Sequence, residues 1–396
     1  MKSRILRRFV AMLLLGALAV APAAHAAPEA ADAAPMNITS KAGILVEAST
    51  GTVLMESNPD TELPIASLTK MMTLLLSFEA IDRGELRLED AVTVSGNAAG
   101  IEGSKAYLDN GATYTVDALL RSMVVASAND SSIAMAEKLA GSEEVFATRM
   151  NERAKELGMN NTQYANCTGL PAPGHHSTAR DMSVLSRELI KHPQYFKYST
   201  IWIDEFKHPS GRVTMLTNTN KLIRSGKGVD GIKTGSTGEA GYCLCSTAQR
   251  EDMRLVAVVL GGPSSKDRFN DASAMLEYGF ANYQIGRVVE PGDAAPVPVR
   301  VKGGKAPSIA LVAQHSFEMV LPRGQEVTFE HETQVPEQVE APIAKGQEIG
   351  QWIIKKDGQE VARIPLLAQD TVLEATYADY IQKIFRRWMG NPDQAA

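Results

Sequence analysis

Apolar positions recur along this chain with two different periods, and the change of period divides it. In the earlier part the spacing is mostly three and four, which predicts helices over about 116–126, 131–140, 143–157 and 179–191, with Gly141 and Gly158 as stop signals. Ahead of these, 43–47 and 53–55 flank a Ser49-Thr50-Gly51 turn and predict a hairpin. From Val229 the period becomes two: 231–235, 241–248 and 253–261 read as strands, and 266–283 as a closing helix. Strands at both ends with helices between them predict an α+β domain over 39–286, one antiparallel sheet covered by helices.

After Gly286 the composition shifts to Pro, Val and Gly, and short alternating runs such as 297–301 and 348–354 predict a second, small all-β domain over 287–370. The remaining segment, 371–396, carries a helical pattern to about Met389. Tyr377, Tyr380, Ile381, Ile384, Phe385, Trp388 and Met389 form one apolar stripe, and Lys383, Arg386 and Arg387 fall on other faces. That is the pattern of an interfacial helix drawn to anionic lipid. It is shorter than the roughly 20 apolar residues that span a bilayer.

At 396 residues the chain exceeds one ordinary domain, and 44% hydrophobic with 22% charged residues is a globular composition. The first 26 residues differ: Lys2, Arg4, Arg7 and Arg8 precede an apolar run ending in Ala24-His25-Ala26, the form of an export signal. Residues 27–38, rich in Ala and Pro, read as a flexible leader. Cleavage after Ala26 removes four positive charges and no acids, taking the formal charge from −6 to −10. An acidic mature protein argues against a nucleic-acid partner. Of three cysteines, Cys167, Cys243 and Cys245, an odd count leaves at least one free; no nearby His or Cys completes a metal set, so core packing is the expected role.

The candidate chemistry begins at Ser67-Leu68-Thr69-Lys70, where a polar loop turns into the apolar run Met71, Met72, Leu74, Leu75 and Leu76. Residues three apart on a helix share a face, so the Lys70 amine can reach the Ser67 hydroxyl near the first turn. Burial lowers a lysine pKa and makes it a base for a serine nucleophile. A lone Ser-x-x-Lys occurs roughly once by chance in a chain this long. Two further signatures sharpen it: Lys233-Thr234-Gly235 on a predicted strand, and a Ser-x-Asn, present both at Ser95-Gly96-Asn97 and at Ser127-Ala128-Asn129. Ser127 sits in a short break between two apolar helices, a rigid corner, whereas Ser95 leads into a Gly-rich surface stretch; Ser127 is therefore preferred.

With these in order the chain resembles the D-alanyl-D-alanine carboxypeptidases, the low-molecular-mass penicillin-binding proteins. The resemblance rests on 64–72, on Ser127 to Asp130, on His176-Ser177-Thr178-Ala179-Arg180-Asp181 and on 230–235, and extends to the β domain and the terminal helix. It implies a serine transferase fold, no cofactor, and a peptidoglycan stem peptide ending in D-Ala-D-Ala or a β-lactam as partners. It also implies that Ser67 carries the acyl group, Lys70 takes its proton and Ser127 relays a proton to the leaving D-alanine. Asn129 would orient Lys70 and the substrate amide, while Lys233, Thr234 and Arg268 would hold the terminal carboxylate. The backbone N–H groups of Ser67 and Ser236, the latter just past Gly235, would form the oxyanion hole. Such tails anchor the family's enzymes on the outer face of the cytoplasmic membrane.

Three other readings compete. A class A β-lactamase adds a Glu-x-x-Leu-Asn loop, for which Glu156 to Asn160 offers Met159 where Leu is expected. A triad of His176, Asp181 and a serine would be a different mechanism, and a silent envelope-binding module would need none of the motif residues.

Overall fold

The structure, a computed structural model, describes residues 37–388. The export signal at 1–26, most of the leader and Met389 of the apolar stripe lie outside the described residues. The chain opens with the expected hairpin, β1 (Ala42–Glu47) and β2 (Val53–Ser57), then a 3-10 turn at Ala66–Thr69 that runs into α1 (Lys70–Asp82). A small ladder of β3 (Ala91–Thr93) and β4 (Thr113–Thr115) encloses α2 (Gly96–Gly100). Helices α3 (Val116–Ala126), α4 (Asn129–Ala140), α5 (Glu143–Glu156), α6 (Ala179–Leu189) and α7 (Phe196–Ser199) follow, then a hairpin of β5 (Ile203–Lys207) and β6 (Val213–Thr217). The period-two region forms β7 (Val229–Thr237), β8 (Gly241–Arg250) and β9 (Met253–Gly262), before α8 (Ser265–Asn282).

Helix boundaries fall where side chains cap them. Thr115, Ser142, Thr178 and Ser264 each accept the N–H three residues on, and Gly141 ends α4 in the left-handed conformation at φ 82°. The main sheet runs β2-β1-β9-β8-β7, antiparallel throughout, so the first hairpin packs against the last strand and β7 is left at an edge. Both faces are covered. Ile44, Val46, Val256 and Val258 face α1 and its neighbours, while Leu45, Leu54, Val259 and Leu244 meet Met275, Leu276 and Phe280 of α8. Strand residues alternate between faces, so double coverage turns β9 into an almost continuous apolar run.

The hairpin β5–β6 and the β3–β4 ladder were not anticipated. Each is short and buries alternate residues on one side only, so their signal is weak.

Strand β10 (Tyr283–Val289) starts at the residue after α8 ends. It is followed by β11 (Val299–Lys302), β12 (Ser308–Ile309), β13 (Leu311–Ala313), β14 (Phe317–Pro322), β15 (Phe329–Gln334), β16 (Gln338–Glu340), β17 (Glu348–Lys356) and β18 (Gln359–Ala368). They pair as β10-β14, β12-β11-β16 and β13-β18-β17-β15 around Val299, Leu311, Trp352, Ile354 and Leu366. Arg323 donates to the Phe280 and Tyr283 carbonyls at 2.8 and 2.9 Å, satisfying the open end of α8. Helix α9 (Tyr377–Trp388) touches the β domain through polar groups: Asp379 pairs with Lys305 at 3.6 Å and Lys383 donates to Gly304 O at 3.2 Å. Its large apolar side chains stay exposed.

Candidate active site

Ser67 sits in the 3-10 turn rather than inside α1, which begins at Lys70. In a 3-10 turn side chains at i and i+3 eclipse, and Lys70 Nζ lies 3.0 Å from Ser67 Oγ. The amine donates a second hydrogen bond, 2.6 Å long, to Thr168 O. Lys70 is 0% exposed, and burial brings its pKa down to about 7.

Thr168 belongs to a loop that sequence reasoning missed. Asn166 Oδ1 accepts from Thr168 N, Thr168 Oγ1 and Gly169 N at 3.1, 3.1 and 2.7 Å, and its amide donates to Leu170 O at 2.9 Å. The hydroxyls of Thr73 and Ser132 donate to Cys167 O at 2.9 and 2.8 Å, and Glu143 accepts from Cys167 N at 3.0 Å. Gly169, at φ 83°, lies so close to the Ala66 carbonyl that a Cβ there would collide with it. An Asn with a Gly three residues on signals a turn. Nothing in it says that the turn's carbonyl holds a lysine.

Helix α3 ends at Ala126 and α4 starts at Asn129, with Ser127 at φ 62° between them. This left-handed residue turns the corner, and its Oγ is buried without a hydrogen-bond partner. A buried hydroxyl left free on a strained residue makes Ser127 a candidate for a functional role. The corner is rigid. Ser122 and Ser131 hydroxyls meet across it at 2.6 Å, and Asp130 accepts from Ala106 N and Leu108 N, each at 3.0 Å. Asn129 Nδ2 donates to Glu102 O at 2.6 Å, while Lys70 Nζ donates to Thr168 O. Ser95, the rejected alternative, caps α2 and donates to Glu137 at 2.9 Å.

The third wall is the edge strand β7. Gly235 passes so near the Ser67 turn that a Cβ would sit 3.0 Å from Ser67 N and 2.8 Å from Ile65 O. Lys233, 1% exposed, donates to Thr234 O at 3.0 Å, and Thr234 Oγ1 donates to Thr219 Oγ1 at 2.7 Å. Ser236 is exposed beyond them. From the first turn of α8, Arg268 donates to Gly235 O and Cys243 O at 2.9 and 3.2 Å, which fastens the guanidinium to the back of this strand. Burial first, then the charges of Lys70 and Arg268, hold Lys233 well below the ordinary lysine value. The Lys70 and Lys233 amines and the Arg268 guanidinium thus bond to carbonyls and hydroxyls rather than to carboxylates.

The competing constellations are not assembled. His176 bonds Gly174 O and faces Glu62, while Asp181 accepts from Asn161 N and Thr162 Oγ1. Glu156 is exposed and pairs with Arg153 at 3.0 Å. All three cysteines are buried and free.

Two family models match the chain: D-alanyl-D-alanine carboxypeptidase over residues 28–264, and the C-terminal domain of penicillin-binding protein 5 over 283–374. The chain belongs to the D-alanyl-D-alanine carboxypeptidase family. Its activity is that of a serine-type D-Ala-D-Ala carboxypeptidase, a hydrolase. It is 36% identical to D-alanyl-D-alanine carboxypeptidase DacF of Bacillus subtilis, over 97% of this chain and 99% of that one. Penicillin-binding protein 5 of Haemophilus influenzae superposes with a TM-score of 0.73 at 32% identity, covering 86% of this chain and 99% of the other. Penicillin-binding protein D2 of Listeria monocytogenes, in an ampicillin-bound form, matches with a TM-score of 0.56 at 32% identity, covering 62% and 99%.

Proposed function

We propose that Ser67 is the nucleophile of this carboxypeptidase and Lys70 its base. The observation that carries the reading is the 3.0 Å separation of Lys70 Nζ from Ser67 Oγ, with the amine brought to about 7 by burial. Ser67 Oγ bonds to the carbonyl carbon between two D-alanines as Lys70 takes its proton. The C–N bond then breaks, Ser127 relays the proton from Lys70 to the leaving amine, and free D-alanine departs. Water completes the cycle by hydrolysing the ester. The N–H groups of Ser67 and Ser236 form the oxyanion hole, usually a large electrostatic contribution. Asn129 lines the cleft as a substrate-amide partner.

Lys233, Thr234 and Arg268 receive the terminal carboxylate, beside Gly235. A bound carboxylate supplies the counter-charge that Lys233 lacks and favours its protonated form. A β-lactam presents its amide carbonyl to the same serine, a reading supported by the ampicillin-bound Listeria relative.

The catalytic unit is 39–286 and the β domain 287–370, with β10 crossing between them. The enzyme is exported by its first 26 residues and works on the outer face of the cytoplasmic membrane, with α9 resting on the lipid. No described helix is long and apolar enough to cross a membrane. Support for surface binding comes from α9 turning polar groups to the β domain and leaving its apolar side chains outward. The test is incubation with a pentapeptide ending in D-Ala-D-Ala: D-alanine release with fluorescent-penicillin label mapping to Ser67 is expected, and label on Ser95 or Ser177 would overturn the assignment.

A further inference from the structure

His175 lies outside the Ser67, Ser127 and Lys233 signatures, yet its ring joins two segments that hold the catalytic pair. Nδ1 accepts the backbone N–H of Ala165 at 3.1 Å, so the ring proton sits on Nε2, which donates to Thr69 Oγ1 at 2.6 Å. Thr69 in turn donates to Ala66 O at 2.8 Å. These donors and acceptors match only when the imidazole is neutral and carries its proton on Nε2. A proton on Nδ1 would face the Ala165 N–H, donor against donor.

Each end of this link leads to a reacting atom. Ala66 and Thr69 bound the turn that presents Ser67, and Ala66 is held at φ 48°, a conformation that a non-glycine residue keeps only when its surroundings enforce it. On the other side, Ala165 precedes Asn166, whose carboxamide folds the loop that brings Thr168 O to 2.6 Å from Lys70 Nζ. The imidazole is buried and the Tyr164 ring packs edge-on against it, centroids 5.9 Å apart.

We infer that His175 is a positioning residue for acyl transfer: by tying Thr69 to Ala165 it sets the Ser67 hydroxyl and the Lys70 amine in register. The inference rests on Ser67 and Lys70 being nucleophile and base. Burial, then the charges of His176 and Lys70, push His175 down to about 4. The ring therefore stays neutral across the range in which Lys70, at about 7, changes charge. The other titratable groups nearby are Glu62, 3.5 Å from His176, and Glu239, which lines the same surface depression as Pro64 and Pro173.

The experiment measures two quantities from about pH 5 to about pH 10: the rate of Ser67 acylation by a fluorescent penicillin, with the label mapped, and kcat and KM for a D-Ala-D-Ala pentapeptide. The proteins are wild type, His175→Ala, His175→Gln and Thr69→Val. His175→Ala should slow acylation by about tenfold or more, because small misplacements of reacting groups carry large rate costs. Its KM should hold. Its ascending pH limb should move upward, since a loosened loop admits water to Lys70. His175→Gln, whose carboxamide accepts from Ala165 and donates to Thr69, should recover most of both effects. Thr69→Val should reproduce the loss, and it decides the matter if His175→Ala does not fold. A lowered Tm with wild-type rate and pH limb in His175→Ala and in Thr69→Val overturns the inference. Label on a residue other than Ser67 in the wild type overturns the nucleophile assignment itself, so the two failures are told apart.

Discussion

In the cleft, Lys70 and Lys233 are 0% and 1% exposed, whereas on α9 Tyr377 and Trp388 are each 82% exposed. One region hides amines from water and the other offers aromatic rings to it. Both arrangements oppose the ordinary partition of side chains. The cleft tolerates buried amines because each is hydrogen-bonded and because burial lowers both pKa values. The helix keeps an apolar face because its polar side is already engaged by Lys305 and Gly304. On the proposed function, departures of opposite sign serve different partners, a peptide carboxylate in one place and a lipid surface in the other.

The comparison breaks first at Ser67. Ser67→Ala should lower D-alanine release by about 10³-fold or more and abolish penicillin labelling, with Tm nearly unchanged. Retained turnover would leave the buried lysines without a catalytic purpose. Next comes the carboxylate. Charge-assisted bonds are worth about 1.5–3 kcal/mol each, so a C-terminally amidated pentapeptide should lose roughly 10- to 100-fold in kcat/KM. Equal turnover of acid and amide would remove Lys233, Thr234 and Arg268 from substrate binding.

Third is the pH profile. With Lys70 at about 7, the amine is able to accept a proton above that point. Acylation should climb about tenfold per pH unit below it and level off above. A profile flat through neutrality would deny Lys70 the role of base. Stability follows the same group. Its folded pKa lies below the unfolded one, so between the two the unfolded chain binds the extra proton and stability rises with pH. The cost of burying the amine is fully present below about 7. The smallest effect on turnover belongs to α9: truncation after Asp370 should leave activity on a soluble peptide within about twofold, while binding to anionic vesicles is lost. Equal co-sedimentation of truncated and full-length mature protein would sink the lipid assignment.

Much of the candidate site was legible because it is built from side chains whose types and spacing are visible in the sequence. Ser67 and Lys70 announce themselves by spacing at a helix start, Lys233 by its strand motif, and Ser127 by the break between two apolar helices. Thr168, Asn166, Gly169 and His175 were not legible as partners. Thr168 acts through a carbonyl that every residue possesses, Gly169 through the absence of a Cβ, and Asn166 and His175 through bonds to atoms distant along the chain. Arg268 was legible only through the family resemblance.

The sequence by itself determined the longer helices and the main-sheet strands, the two-domain order and the identities of the chemical groups, because these depend on periodicity and on neighbours a few residues away. Only the tertiary structure decided that the first hairpin pairs with β9, leaving β7 free at the edge against the Ser67 turn. It also decided that the carbonyl of Thr168 holds the Lys70 amine. Those outcomes depend on segments far apart along the chain coming together, 98 residues for Lys70 and Thr168 and 218 for Ala42 and Leu260. Where they meet, every donor must find an acceptor, and which one it finds is set by packing rather than by residue type.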